Sequence, residues 1–411
     1  MVKAGSLLYA IYVCLIIAIL CSGLVYLFTA YISKHSREQL QASLIDRCES
    51  CFTYFLAQSQ QPNRDKGTEI KLFEDGITCT VSRVPWGMYE RVVGKAYFKK
   101  DTIRSCYIVG TKRKKEMPAL YACDYGEEIK VSGTAQIIGA MQLPELGYEI
   151  AHIGGNEVKN NPVIRGKIGR SASKLPPLRE IPRIASTEKR EIPVRGNRFS
   201  ERNIYQSFQQ PLREIFVAKG ENLDGLQARG HVIIRSADTL YINKETLLED
   251  VIIQAPKVVI GSGFRGSIQV LADKEIEIGT DVILSYPSCL IIPASGINTE
   301  CNIHIAKGAT IYGGVVMDSK NFEQSQQQKV IIEEKAVITG DVYVDGLLQL
   351  EGVVRGSVYV HKFELITESA QYEDMIFNGV ITTEDIPADF AGLPLFDSPK
   401  NNGFERIKQV Q

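Results

Sequence analysis

The sequence predicts a mainly β fold: an N-terminal transmembrane helix extended into a stalk, a small antiparallel sheet, then a parallel β-helix, or solenoid. Three observations predict it. Ala4 to Ser33 contains no charged residue. Apolar residues then continue at spacings of three and four. From about His231 to Phe363, short runs of Val, Ile and Leu recur every five to ten residues with period two and almost no helical periodicity.

At 411 residues, 44% hydrophobic and 23% charged, the chain can build two or three folded units. A net charge of -1 gives no global field for nucleic acid, so no nucleic-acid partner is expected. Nine cysteines, two of them (Cys14, Cys21) in the apolar N-terminal run, are an odd and scattered set rather than a disulfide framework, and their redox state stays open.

Residues 1–61 are read as the membrane helix and its stalk. The stretch Leu7 to Phe28 exceeds the roughly 20 residues that cross a bilayer and is too long for the core of a cleaved signal peptide. Leu7, Leu8, Ile16, Ile17, Leu24, Val25 and Phe28 are the membrane-spanning candidates, and the lipid bilayer is the first expected partner. Lys3 on one flank and Lys34 and Arg37 on the other nearly balance, and the short N-terminal tail favours a large domain on the extracytoplasmic side of a single-pass protein. Leu40, Leu44, Ile45, Cys48, Phe52, Phe55 and Leu56 carry the helix to about Gln60, before Pro62. Cys48 and Cys51 share a helix face, but no second pair completes a metal site, so packing is their expected role.

This N-terminal layout, Lys3, Ala4 and Gly5 leading into a helix apolar in its first half and amphipathic in its second, resembles type IV pilins and pseudopilins. The resemblance implies a peptidase site after Gly5 and a β-rich head; Ala10 stands where that family has an acidic residue.

Residues 62–131 read as a small antiparallel sheet with short turns. Trp86, after Pro85, is expected to start a strand with its ring buried. Lys112, Arg113, Lys114 and Lys115 read as a solvated hairpin tip, the alternative being contact with anionic lipid at roughly 1 kcal/mol per residue. Residues 132–219 read as an irregular solenoid start followed by an extended Pro-rich linker from Ser171 to Pro211, with one short helix over 204–216.

Residues 220–365 form the expected parallel β-helix. Its alternation sends Ile276, Ile278, Ile303, Ile305, Val342, Val344, Val358 and Val360 inward and leaves Glu277 and His304 outside. The polar stretch 319–328 reads as a corner loop, and residues 366–411 as a C-terminal cap over the open last coil, with a tail. The combination of membrane helix, PWGMYE, PALYACDYG, EIKVSGTAQIIGAMQLP and GSIQVLADKEIEIGTDVILSYPS is similar to an uncharacterised family of bacterial single-pass membrane proteins. Residues 330–363 resemble the bactofilin type of polymer-forming β-helix, which implies nucleotide-free scaffolding and self-association.

No catalytic, cofactor-binding or metal-binding constellation is recognisable. His304 lacks the regular hexapeptide repeats of an acyltransferase, and Asp273, Glu275, Glu277 and Asp281 form an acidic face of ordinary density. The expected function is a non-enzymatic, membrane-anchored scaffold or assembly component of a bacterial envelope machine or filament, binding a protein partner. The alternative is a carbohydrate-active or carbohydrate-binding surface protein, for which aromatic residues beside paired carboxylates on one outer face would be the sign.

Overall fold

The computed structural model describes residues 4–57, 67–113, 117–152, 161–181, 202–220, 223–294, 300–319, 321–396 and 403–410. Within them the chain is mainly β, with one long apolar helix, a small antiparallel sheet and a large parallel sheet.

The helix runs Ala4–Ala57, about 80 Å at 1.5 Å per residue. Its halves differ because their sequence patterns differ. In the first, apolar on all sides, Leu7, Leu8, Ile16, Ile17, Leu24, Val25 and Phe28 are all exposed. In the second, one apolar stripe (Leu44, Cys48, Cys51, Phe52, Phe55, Leu56) is buried against Cys79, Val81, Val92, Ala96, Tyr107 and Val109 of the small sheet. Gly94 permits this approach: a Cβ there would lie 2.5 Å from the Phe52 ring.

The small sheet is antiparallel in the order Thr68–Ile70, Thr78–Trp86, Tyr89–Phe98, Asp101–Thr111, Phe404–Val410. Its last strand comes from the far end of the chain. Residues 404–410 are thus part of this sheet rather than a tail, since their backbone satisfies the otherwise open edge of Asp101–Thr111.

Among the described residues the large sheet has 21 strands, most of them in three ladders of parallel pairs, the third of which starts one pass later than the other two. In the first ladder 203–206 pairs with 227–230, then 247–249, 267, and on through 283–284, 310–313, 337–340 and 353–355. The second runs from 213–217 through 232–236, 251–255, 268–272, 289–292, 313–317 and 341–344 to 358–360. The third links 240–242, 257–260, 275–278, 301–305, 328–332, 347–350 and 362–363. Together they enclose one interior lined by Val, Ile and Leu, in which Ile276, Ile278, Ile303, Ile305, Val342, Val344, Val358 and Val360 are all buried.

Three of the expected boundaries change. Strands of residues 120–143 and 163–170 do join the parallel sheet, but not ahead of residue 203, while Ile129–Ser132 and Tyr148–Ile150 form a separate three-stranded parallel sheet with Met375–Phe377. Leu120–Ala122 pairs with 358–360, Gln136–Ile138 pairs with Val380–Thr382, and Val163–Arg165 pairs with 136–138. The early segment therefore stacks beyond residue 363, at the far end. The expected C-terminal cap is an inserted part of the same stack: Met375–Phe377 and Val380–Thr382 lie between the main body and residues 130–138. Parallel pairing needs only a free edge and matching inward residues, so sequence order does not dictate rung order. The small sheet accordingly ends at Thr111, not at residue 131.

Residues 172–181 must then return along the outside. Leu175, Leu178 and Ile181 pack on the outward residues of the second ladder, and the Tyr343 hydroxyl donates to the Pro176 carbonyl at 3.1 Å. The Pro-rich stretch is not a solvated linker here, because its spaced aliphatic residues cover Tyr121, Tyr343 and Tyr359. Its continuation, with Pro182 and Pro193, lies outside the described residues.

Four local expectations are also corrected. The expected helix over 204–216 is two strands, Asn203–Gln206 and Arg213–Val217, because Ile204, Ile215 and Val217 face the shared interior. Trp86 ends its strand rather than starting it, and its ring is buried against Phe208 and His231 between the two sheets. The 319–328 stretch holds a single helical turn, Phe322–Ser325, capped by the Asn321 side chain, with Gln324, Ser325 and Gln328 buried. Arg113 is not at a solvated tip: its guanidinium donates to the buried Asp341 carboxylate at 2.6 Å and to Ser357 at 2.7 Å. Lys114 and Lys115 lie outside the described residues.

Candidate functional site

A concavity runs along the first ladder, between its early rungs and the closing strand Phe404–Val410. Period two places Ile204, Ala228 and Leu248 in the core, so each rung presents a pair of outward side chains: Asn203 and Tyr205, Gln227 and Arg229, Leu247 and Glu249. Arg265 and Ser267 continue the array, with Ser285 and Tyr286 beyond them and Lys408 as the opposite wall. The main cavity is about 650 Å³, and a second of about 440 Å³, reaching Phe208 and Asp250, shares Tyr205, Arg229 and Lys408 with it.

Charge in the groove is arranged by one irregularity. Neighbouring side chains in a strand face opposite ways, but the bulge at Asp250, with φ of 59°, turns both Glu249 and Asp250 toward Lys408. The Lys408 ammonium donates to Glu249 at 2.9 Å and to Asp250 at 2.7 Å. Burial pulls the Lys408 pKa down, but the hydrogen bonds to Asp250 and Glu249 outweigh it and hold the amine above the ordinary lysine range. Arg229 also contacts Glu249, at 3.2 Å. Both carboxylates are thereby engaged by cations. Arg265 makes no ion pair among the described residues, and the Tyr205 side chain is exposed, the residue being 57% accessible.

At the inner end of the groove the two sheets are locked together. The Gln269 side chain accepts from the Met88 N–H at 2.8 Å and donates to the Trp86 carbonyl at 3.0 Å. Beside it, His231 is held neutral. Its Nδ1 lies 2.9 Å from the Gln210 carbonyl, to which only an N–H can donate, leaving Nε2 to accept from Arg91 at 3.1 Å. Burial, then the charge of Arg91, pulls its pKa down to about 4. A base depressed from about 6.5 binds fewer protons folded than unfolded, so its contribution is complete above pH 6.5 and lost as pH falls toward 4. Denaturant titrations should show stability falling by on the order of 3 kcal/mol across that window, and His231→Gln should flatten this limb. An unchanged limb would remove His231 as its source.

A second polar cluster resembles a catalytic triad in outline. His361 Nδ1 lies 2.9 Å from Asp345, and its Nε2 faces Ser325 at 3.4 Å. Two features set it apart from a triad: Tyr125 holds the same Nε2 at 2.6 Å, and Ser325 is buried. Ser319 also bonds Asp345, so the cluster ties together the 319–325 excursion, the 345 corner and the Tyr125 segment. Nearby Asp318 is pushed up to about 6, first by burial and then by the charge of Asp345.

Among the other candidates, Glu275 and Glu277 lie side by side, and Lys257 of the neighbouring rung pairs with both, at 2.9 Å and 2.7 Å. Lys257, through its hydrogen bond, holds Glu277 below the usual carboxylate range. Asp273 and Asp281 are exposed, and His304 pairs with Glu333 at 2.8 Å. None of these is brought into the groove. Cys48 and Cys51 are packed with Cys79 in the helix–sheet core, burial raising all three thiols. Among the described residues no group of three or more His, Cys, Asp and Glu could hold a metal ion. The groove residues Tyr205, Arg229, Glu249, Asp250, Arg265 and Lys408 were not legible as a site, because Lys408 is 158 residues from Asp250 in sequence. The outward pairs at period two were the only signal.

Comparisons with protein-family models, with curated proteins and with solved structures find no match for the chain.

Proposed function

We propose that the chain is a membrane-anchored, non-enzymatic scaffold or assembly component of a bacterial envelope machine or filament, its parallel sheet wound as a β-helix on the extracytoplasmic side. Three ladders of parallel pairs, continuous from 240–242 to 362–363 in the third and from 203–217 to 353–360 in the first two, support the β-helix reading. The observation that carries the function is the division of the helix. Its first half exposes apolar residues on every side, while its second half is buried in a sheet locked onto the parallel body. A bilayer on one half and a rigid binding platform on the other is what that division serves. Action by binding, to a protein partner or a second copy, is supported by a body in which Glu275, Glu277, His304 and His361 are engaged in pairs with neighbouring side chains.

The test is alkaline carbonate extraction. Full-length protein should stay with the membrane, and a form beginning near Arg37 should be soluble. Release of intact protein by carbonate would end the anchor reading.

A second reading, binding of a carbohydrate, is favoured by one feature. Tyr205 and Tyr286 line the same groove as the paired carboxylates Glu249 and Asp250.

A further inference from the structure

We propose that the groove along the first ladder binds a short acidic oligosaccharide, with a sugar ring on Tyr205 and a sugar carboxylate on Arg265. This rests on the carbohydrate-binding reading above and specifies its site and ligand class.

Shape comes first. A cavity of about 650 Å³ is in the range of small-ligand sites. Its floor is a ladder of outward side chains, polar except for Leu247, repeating about every 4.8 Å along the stack, comparable to the length of one sugar ring. Asn203, Gln227 and Ser285 offer neutral donors and acceptors of the kind that satisfy sugar hydroxyls. An exposed phenol beside them supplies a flat apolar face with a polar edge, which suits a pyranose better than a purely aliphatic wall would.

Charge then selects the ligand. The groove holds three cations, Arg229, Arg265 and Lys408, against two carboxylates, Glu249 and Asp250. Lys408 and Arg229 are committed to those carboxylates, and Arg265 is left over. Its guanidinium is planar and matches a carboxylate with two parallel hydrogen bonds. A neutral sugar would leave that charge unused.

The probe is tri-galacturonate, titrated calorimetrically into full-length protein in detergent, with its methyl ester as the uncharged counterpart. The acid should bind and the ester should bind at least about 10-fold more weakly. Arg265→Gln should weaken the acid about 10-fold or more and leave the ester unchanged, while Tyr205→Ala should weaken both by a similar factor. Both residues are exposed, so the variants should keep the parent's unfolding midpoint. Equal binding of acid and ester, indifferent to Arg265→Gln but sensitive to Tyr205→Ala, would overturn the acidic-ligand inference and leave the carbohydrate reading standing. Binding insensitive to both variants would move the site elsewhere and overturn the inference. Absence of binding by either sugar would overturn both.

Discussion

Gly340→Ala should abolish the folded parallel body. Gly340 sits in the first ladder with φ of 140°, stacked between Gly313 and Gly356 on neighbouring rungs. A Cβ at Gly340 would lie 1.5 Å from the Gly313 carbonyl oxygen, and one at Gly356 would lie 1.7 Å from that of Gly340. The obstruction is backbone, so no side-chain rotation relieves it, and the φ itself is one that L-residues rarely adopt. The loss should exceed about 4 kcal/mol, beyond the usual range for single substitutions. Gly126→Ala is the control. Gly126 also has positive φ, 78°, but nothing lies within 4 Å of its added Cβ, and its cost should be about 1–2 kcal/mol. Circular dichroism and denaturant midpoints would separate the two; equal, small effects would mean that the rungs are not stacked at this spacing.

Glu90→Ala should destabilise by about 3–5 kcal/mol. Glu90 is 2% exposed and bonds two cations: Arg83 within the small sheet at 2.8 Å and Arg179 of the returning segment at 2.6 Å. Removing the carboxylate takes from two largely buried guanidiniums the anion they share, which is far worse than never having had the pair. Replacing all three with apolar residues of similar volume should recover much of the loss. Denaturant unfolding of the single and triple variants checks this. A single variant within about 0.5 kcal/mol of the parent would show that the cluster is open to water.

The parts of the fold that were legible in the sequence are those with a local period. In EIEIG, NIHIA and KVIIEE the third-ladder strands alternate, and Ile276, Ile278, Ile303 and Ile305 are buried while Glu275, Glu277 and His304 are partly exposed. Second-ladder strands read differently: Ile291 and Val316 sit between inward neighbours and are themselves buried, so the apolar run is continuous. Such runs mark strands covered on both faces, here by the outside cluster that includes Leu175, Leu178 and Ile181. Rung order had no comparable signal. The segment 132–170 carries the glycine-spaced texture of stacked strands, but nothing in Ile137 or Met141 says whether its neighbour is residue 204 or residue 381. Over 204–216, where a helix is expected, Ile204 faces the interior and Phe208 the Trp86 ring. The groove was hidden for the same reason, since it exists only once residue 408 returns beside residue 250.

One crosslinking measurement addresses this out-of-order strand pairing directly. Gln136 and Val380 are direct partners in the first ladder and both are half-buried. Neighbouring parallel strands lie about 4.8 Å apart, within the Cα range that a disulfide spans. Under mild oxidation, Gln136→Cys with Val380→Cys should crosslink in the intact protein, whereas Val163→Cys with Asn203→Cys should not. Crosslinking of 163 to 203, with 136 and 380 remaining free, would contradict the account by placing the early segment ahead of residue 203.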